Sequence, residues 1–128
     1  MRLLLDTHIL VWSLTEPTRL SGTTRAKIED DSNTILFSPV SIWEIAIKSA
    51  LAKSDFVYDP SLILSGALAA SFVEMCITSK AAMMAGALPA IHRDPFDRML
   101  IAQTLQDGGI ILTADKLLTG YSDRVELV

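Results

Sequence analysis

Short runs of apolar, β-favouring residues alternate along this chain with longer stretches whose apolar positions recur at helical spacing. "RLLL" (2–5), "TILF" (34–37), "FVEMCI" (72–77), "GIILT" (109–113) and "VELV" (125–128) read as strands. Segments 22–31, 41–52, 60–71, 79–88 and 95–107 read as helices, with shorter helices at 9–14 and 116–120. The punctuation agrees. "SP" at 38–39 and "DP" at 59–60 and 94–95 each set a capping residue before a proline, whose missing N–H and fixed φ suit the first helical position. "SIWE" at 41–44 matches the S-x-x-E capping box, and Gly108-Gly109 closes the helix that begins near Pro95.

Strands that alternate with helices predict an α/β fold, a central mainly parallel sheet of four to five strands flanked by helices. The β-branched character of "GIILT" suits a fully buried central strand. The Ala- and Met-rich segment 79–91, "SKAAMMAGALPAI", reads as a tightly packed core helix, with a partner-binding surface as the other reading. No linker, repeat or low-complexity tract interrupts the pattern, so one domain over 1–128 is expected.

Composition supports this and narrows the chemistry. Of 128 residues, 50% are hydrophobic and 20% charged, which excludes disorder and allows a core without disulfides. The lone Cys76 lies between apolar neighbours and is expected to be a buried, inert thiol. One cysteine builds no disulfide framework and no thiolate zinc site, and it fits a reducing cytoplasm. Asp6 and His8 interrupt "MRLLLDTHILVW" before an export signal would be complete, and "LILSGALAASFV" is too short to span a bilayer, so no membrane association is expected. The net charge of −4 is not the footprint of a protein that grips nucleic acid by bulk positive charge. It leaves a nucleic-acid enzyme open, because acids gathered around cations change the local field.

In open α/β sheets, ligands bind outside the carboxyl ends of the strands, and four acids fall there. Asp6 follows "RLLL", Glu44 lies early in the helix after "TILFSPV", Asp97 is in the first turn of "DPFDRMLIAQ", and Asp115 ends "GIILTAD". Each has a local explanation: Asp6 and Asp115 as helix caps, Glu44 as the capping-box acid with Ser41, and Asp97 as a carboxylate near the positive end of a helix dipole. Capping, however, is served as well by Ser, Thr or Asn, whereas hard divalent cations ask for oxygen ligands. Four acids converging on one end of a sheet repel one another unless cations are present, and with cations such a cluster suits phosphoryl chemistry.

Other chemistries find little support. His8 and His92 are far apart and match no zinc spacing; His92 reads as a loop residue and His8 as a helix-start residue beside the acids. There is no Gly-rich phosphate loop, G-x-S-x-G elbow or Cys–His signature.

Taken together, "LLLDTHILVW", "SPVSIWEIAIK", "HRDPFDRMLIAQ" and "GIILTADKLLTGY" resemble the PIN-domain ribonucleases, specifically the VapC-type toxins of bacterial toxin–antitoxin pairs, from residue 3 to residue 121. The resemblance implies a PIN-like fold and an endoribonuclease in which Asp6, Glu44, Asp97 and Asp115, matching the family's four acids in order, bind Mg²⁺ with Mn²⁺ as substitute. It implies that Thr7 and Thr113 orient carboxylates or water, that Asp94 caps a helix, and that Arg98 contacts phosphate, an ion pair on the helix surface being the rival reading. His8 belongs to a "DTH" variant of the first motif, which leaves its role in contacting substrate open. The resemblance further implies an RNA substrate, a homodimer, and a cognate antitoxin across the active-site groove. Trp12, Trp43 and the helices at 9–14 and 41–52 would line that groove or pack in the core. Two other functions remain open: a PIN nuclease that matures RNA without an antitoxin, and a receiver-like Mg²⁺-binding regulatory module.

Overall fold

The computed structural model describes residues 1–51 and 56–128. Five strands, β1 (Arg2–Leu5), β2 (Thr34–Phe37), β3 (Val73–Glu74), β4 (Ile110–Thr113) and β5 (Val125–Leu127), form one fully parallel sheet in the order β3-β2-β1-β4-β5. Six α-helices connect them: α1 (Thr7–Thr15), α2 (Gly22–Glu29), α3 (Pro39–Leu51), α4 (Pro60–Ala69), α5 (Ser79–Ala87) and α6 (Pro95–Asp107). Short 3₁₀ turns occupy Pro17–Arg19 and Lys116–Gly120. Residue 52 of the helix expected at 41–52 lies outside the described residues.

The register explains why β1 is apolar at successive positions. Leu3 pairs with Ile35 and Leu5 with Leu112, and these side chains join Ile9, Leu10, Phe37, Ile45 and Ile63 on one face of the sheet. Leu4 pairs with Leu36 and Ile111, and these meet Val40, Leu100, Ile101 and Leu118 on the other. Strands buried on both faces read as continuous hydrophobic runs, and each enclosed leucine contributes about 2 kcal/mol of burial. α5 forms an outer layer on α6 through Ala81, Ala85 and Ala102. Its Met83 is exposed, so the segment is only half core.

Three expectations need correction. "FVEMCI" forms only the two-residue edge strand β3. Its backbone leaves the sheet after Met75 N–H reaches the Phe37 carbonyl, and the Gln103 amide then donates to the carbonyls of Met75 and Cys76. Cys76 is consequently exposed rather than buried, because it lies past the edge of the sheet, where no layer covers it. The capping box at Ser41 does not form. α3 begins two residues earlier at Pro39, with Ser38 Oγ accepting from Val40 N–H at 3.1 Å, and Ser41 is already inside the helix.

The strand order is not that of a receiver domain. Receiver-type domains wind their sheet 2-1-3-4-5. Here the chain runs outward from β1 through β2 to β3 and then returns to the other side of β1 as β4 and β5. The reversal lies between β1 and β4, and a crevice opens at their carboxyl ends. Among the described residues no helix is long and apolar enough to cross a membrane.

Candidate metal centre

Asp6 and Asp115 sit at the carboxyl ends of β1 and β4, on either side of that reversal. Asp6 is the N-cap of α1: its Oδ1 accepts the His8 N–H at 2.8 Å, and its Oδ2 accepts the Thr113 hydroxyl. Asp115 caps the turn after β4, its Oδ1 accepting the Leu117 N–H at 2.9 Å. Asp94 caps α6 through Phe96 N–H at 2.9 Å, which places Asp97 in the first helical turn. Glu44 enters from α3 and is almost fully buried. Its Oε1 accepts the Thr7 hydroxyl at 2.6 Å, its Oε2 pairs with Lys48 one turn on, and Thr7 Oγ1 also lies 3.0 Å from Ser41 Oγ. Capping and convergence are therefore the same feature. The cap sets where each helix starts, and the start aims the acid.

Asp6, Glu44, Asp97 and Asp115 all line one cleft of about 520 Å³, with His8, Trp12, Lys48 and His92 also on its walls. Thr7 and Thr113 stand behind the acids and are buried. Arg98 is not part of the lining. Its guanidinium donates to the carbonyls of Ala85 (2.8 Å), Leu88 (2.9 Å), Pro89 (3.0 Å) and His92 (3.2 Å), so it ties down the α5–α6 connection instead of facing phosphate or forming a surface ion pair. Trp12 packs half-buried against the core with the Arg19 guanidinium 4.4 Å above its ring. Trp43 is 59% exposed and meets Phe96 edge-on at 5.1 Å.

The acids crowd one another. Burial pushes the Asp97 carboxyl up to about 7, with the charges of Asp94, Asp6 and Glu44 adding to the shift and His92 opposing it. Burial also raises Asp6, against the hydrogen bonds it accepts from Thr113 and His8. Burial lowers Lys48, but its bond to Glu44 and the surrounding negative charge more than offset this and leave it raised. Asp97 receives no hydrogen bond from any described residue. The His92 ring lies beside it, with Nε2 3.1 Å from Asp97 Oδ2.

Such a donor set fits a hard divalent ion. The site offers carboxylate oxygens from four separate elements, and the negative charge that raises Asp97 is what a cation would relieve. Carboxylate oxygens of Asp97 and Asp115 already lie within 4.8 Å of one another, beside His92.

Lys48 escaped the sequence reading although it had a signal, since it stands four residues after Glu44 on the same helix face. His92 was read as a loop residue, and its proximity to Asp115 arises only when the α5–α6 connection folds over the end of β4.

Comparison with known proteins bears on the fold and the family. No curated protein matches the sequence. Solved structures that share the fold include two VapBC complexes. VapBC2 from Rickettsia felis bound to a DNA fragment from its promoter has a TM-score of 0.69 at 15% identity, covering 100% of this chain and 98% of that one. DNA-bound VapBC from Salmonella typhimurium has a TM-score of 0.69 at 13% identity, covering 100% and 97%. The PIN domain family model matches residues 3–122, nearly the whole chain and all four acids, and the chain belongs to the PIN domain family.

Proposed function

We propose that this protein is a divalent-metal-dependent endoribonuclease of VapC type, the toxin of a toxin–antitoxin pair. The observation that carries the nuclease reading is the meeting of Asp6, Glu44, Asp97 and Asp115 in one cleft at the topological reversal of the sheet, with Asp97 pushed to about 7.

In this reading the four carboxylates hold Mg²⁺, or Mn²⁺ in its place. A bound ion supplies polarisation of the scissile phosphodiester and acidification of an attacking water. The chain's own residues do the rest. Thr113 fixes Asp6 and Thr7 fixes Glu44, so those carboxylates present set orientations. Lys48 offsets the charge of Glu44, and His8 and Lys116 at the walls of the cleft are available to the RNA backbone.

The toxin role is supported by the four sequence motifs and by a fold shared with chains of VapBC complexes. With it come a cognate antitoxin, a homodimer and a cytoplasmic location, each part of the proposal. Expression of the wild type alone should arrest growth, and co-expression of the neighbouring gene product should relieve the arrest. Growth unaffected by the wild type, with metal-dependent RNA cleavage intact in vitro, would favour RNA maturation instead.

A further inference from the structure

His92 belongs to none of the four motif acids, yet it touches two of them. Its Nε2 lies 2.8 Å from Asp115 Oδ2 and 3.1 Å from Asp97 Oδ2. Its other ring nitrogen, Nδ1, accepts the backbone N–H of Asp94 at 3.1 Å. A nitrogen that accepts carries no hydrogen, so the ring hydrogen sits on Nε2, which donates to Asp115. A histidine that ligates metal through Nε2 needs that lone pair free and gives its other N–H to an acceptor. Here the nitrogen that would have to donate faces an N–H. This tautomer makes the ring a donor at Nε2.

The ring is also held from behind. The His92 N–H donates to the Tyr121 hydroxyl at 2.8 Å, and that hydroxyl donates to the Pro89 carbonyl at 3.0 Å. Arg98 grips the carbonyls on the same connection. The side chain itself is only 15% exposed.

We infer that His92 is a positioning residue for the metal centre: its Nε2–H holds the Asp115 carboxylate beside Asp97, and Tyr121 and Arg98 act through it by fixing the connection that carries the ring. Asp97 and Asp115 come from α6 and from the end of β4, and nothing else described bridges their side chains. The inference rests on the proposed metal-dependent nuclease.

The test compares Mn²⁺ binding, by calorimetry and pulsed EPR, in the wild type, His92→Asn, His92→Gln and Tyr121→Phe. Asparagine keeps an acceptor near the Asp94 N–H but cannot reach Asp115, whereas glutamine can place an amide donor where Nε2 stood. His92→Asn should lose about 10- to 100-fold in Mn²⁺ affinity. His92→Gln should recover most of that loss, and Tyr121→Phe should show a smaller loss. Unchanged affinity in His92→Asn, equal losses in the Asn and Gln variants, or a coupling from directly bound histidine nitrogen in the wild-type EPR spectrum would overturn the assignment. Wild-type protein that takes up no Mn²⁺ would instead overturn the nuclease reading beneath it.

Discussion

Thr113 donates its hydroxyl hydrogen to Oδ2 of Asp6, joining the carboxyl ends of two adjacent parallel strands at the point where the strand order reverses. Asp6 is buried and raised, so this hydrogen bond is one of the few groups that offset the cost of its charge. Thr113→Val keeps the shape and β-propensity of the side chain but removes the donor. In EDTA at pH 8 it should cost about 1–3 kcal/mol, measured by urea denaturation, because Asp6 loses its donor and the Asp115 N–H loses its acceptor. Thr113→Ser should cost much less.

Asp97 sets a pH dependence whose direction follows from its shift. Its carboxyl is raised to about 7 in the folded, metal-free chain, against about 3.9 when unfolded. Below about pH 4 both states are protonated and Asp97 contributes no penalty. Between about pH 4 and 7 the unfolded chain sheds this proton while the folded chain keeps it, so stability falls as pH rises. The loss approaches at most about 1.4 kcal/mol per pH unit in that window. Asp97→Asn should flatten that part of the profile and leave the metal-free protein at least as stable as wild type at pH 8, by thermal unfolding in EDTA. Asp6, also raised, acts in the same direction.

The adjacent Asp94 separates capping from electrostatics. Asparagine caps a helix about as well as aspartate, and alanine does not. Asp94→Ala should therefore destabilise α6 by about 1 kcal/mol. Asp94→Asn should keep that stability and remove one of the charges that raise Asp97. The window of falling stability should then end at a lower pH, which NMR titration of the Asp97 carboxyl would report directly.

Lys48 is the protein's own counter-ion for Glu44, whose side chain is 3% exposed against 38% for the lysine. Removing one partner of a fully buried pair costs about 3–5 kcal/mol, and solvent around the lysine reduces this. Lys48→Met should cost about 1–2 kcal/mol at pH 8 in EDTA, and Glu44→Gln in the same chain should restore part of it. A double-mutant cycle measures the coupling.

What the sequence made legible was whatever local chemistry decides. β1 and β2 begin and end at the expected residues, because each closes on three buried apolar residues and is followed by a capping residue. Asp6, Asp97 and Asp115 were visible for the same reason, since helix starts have sequence signals, whereas the S-x-x-E match that pointed to Glu44 does not form. Tertiary placement decided the rest. Of the two starts that the sequence offered, Ser38 before Pro39 and Ser41, the fold uses Ser38, so Glu44 sits in the second turn, reaching Thr7 from deeper in the helix. Cys76 is hydrophobic in its neighbours but lies beyond the sheet edge. Arg98 has the spacing of a surface residue and spends its donors on carbonyls of a connection that no periodicity encodes.

The most direct test of the central claim is cleavage of total cellular RNA by the purified chain, freed of any partner, with Mn²⁺ present, set beside the Asp97→Asn variant. The account predicts that the wild type cleaves, that EDTA abolishes cleavage, and that Asp97→Asn is folded and inactive. A wild type that leaves the RNA intact, or an Asp97→Asn variant that cuts it equally well, would contradict the account.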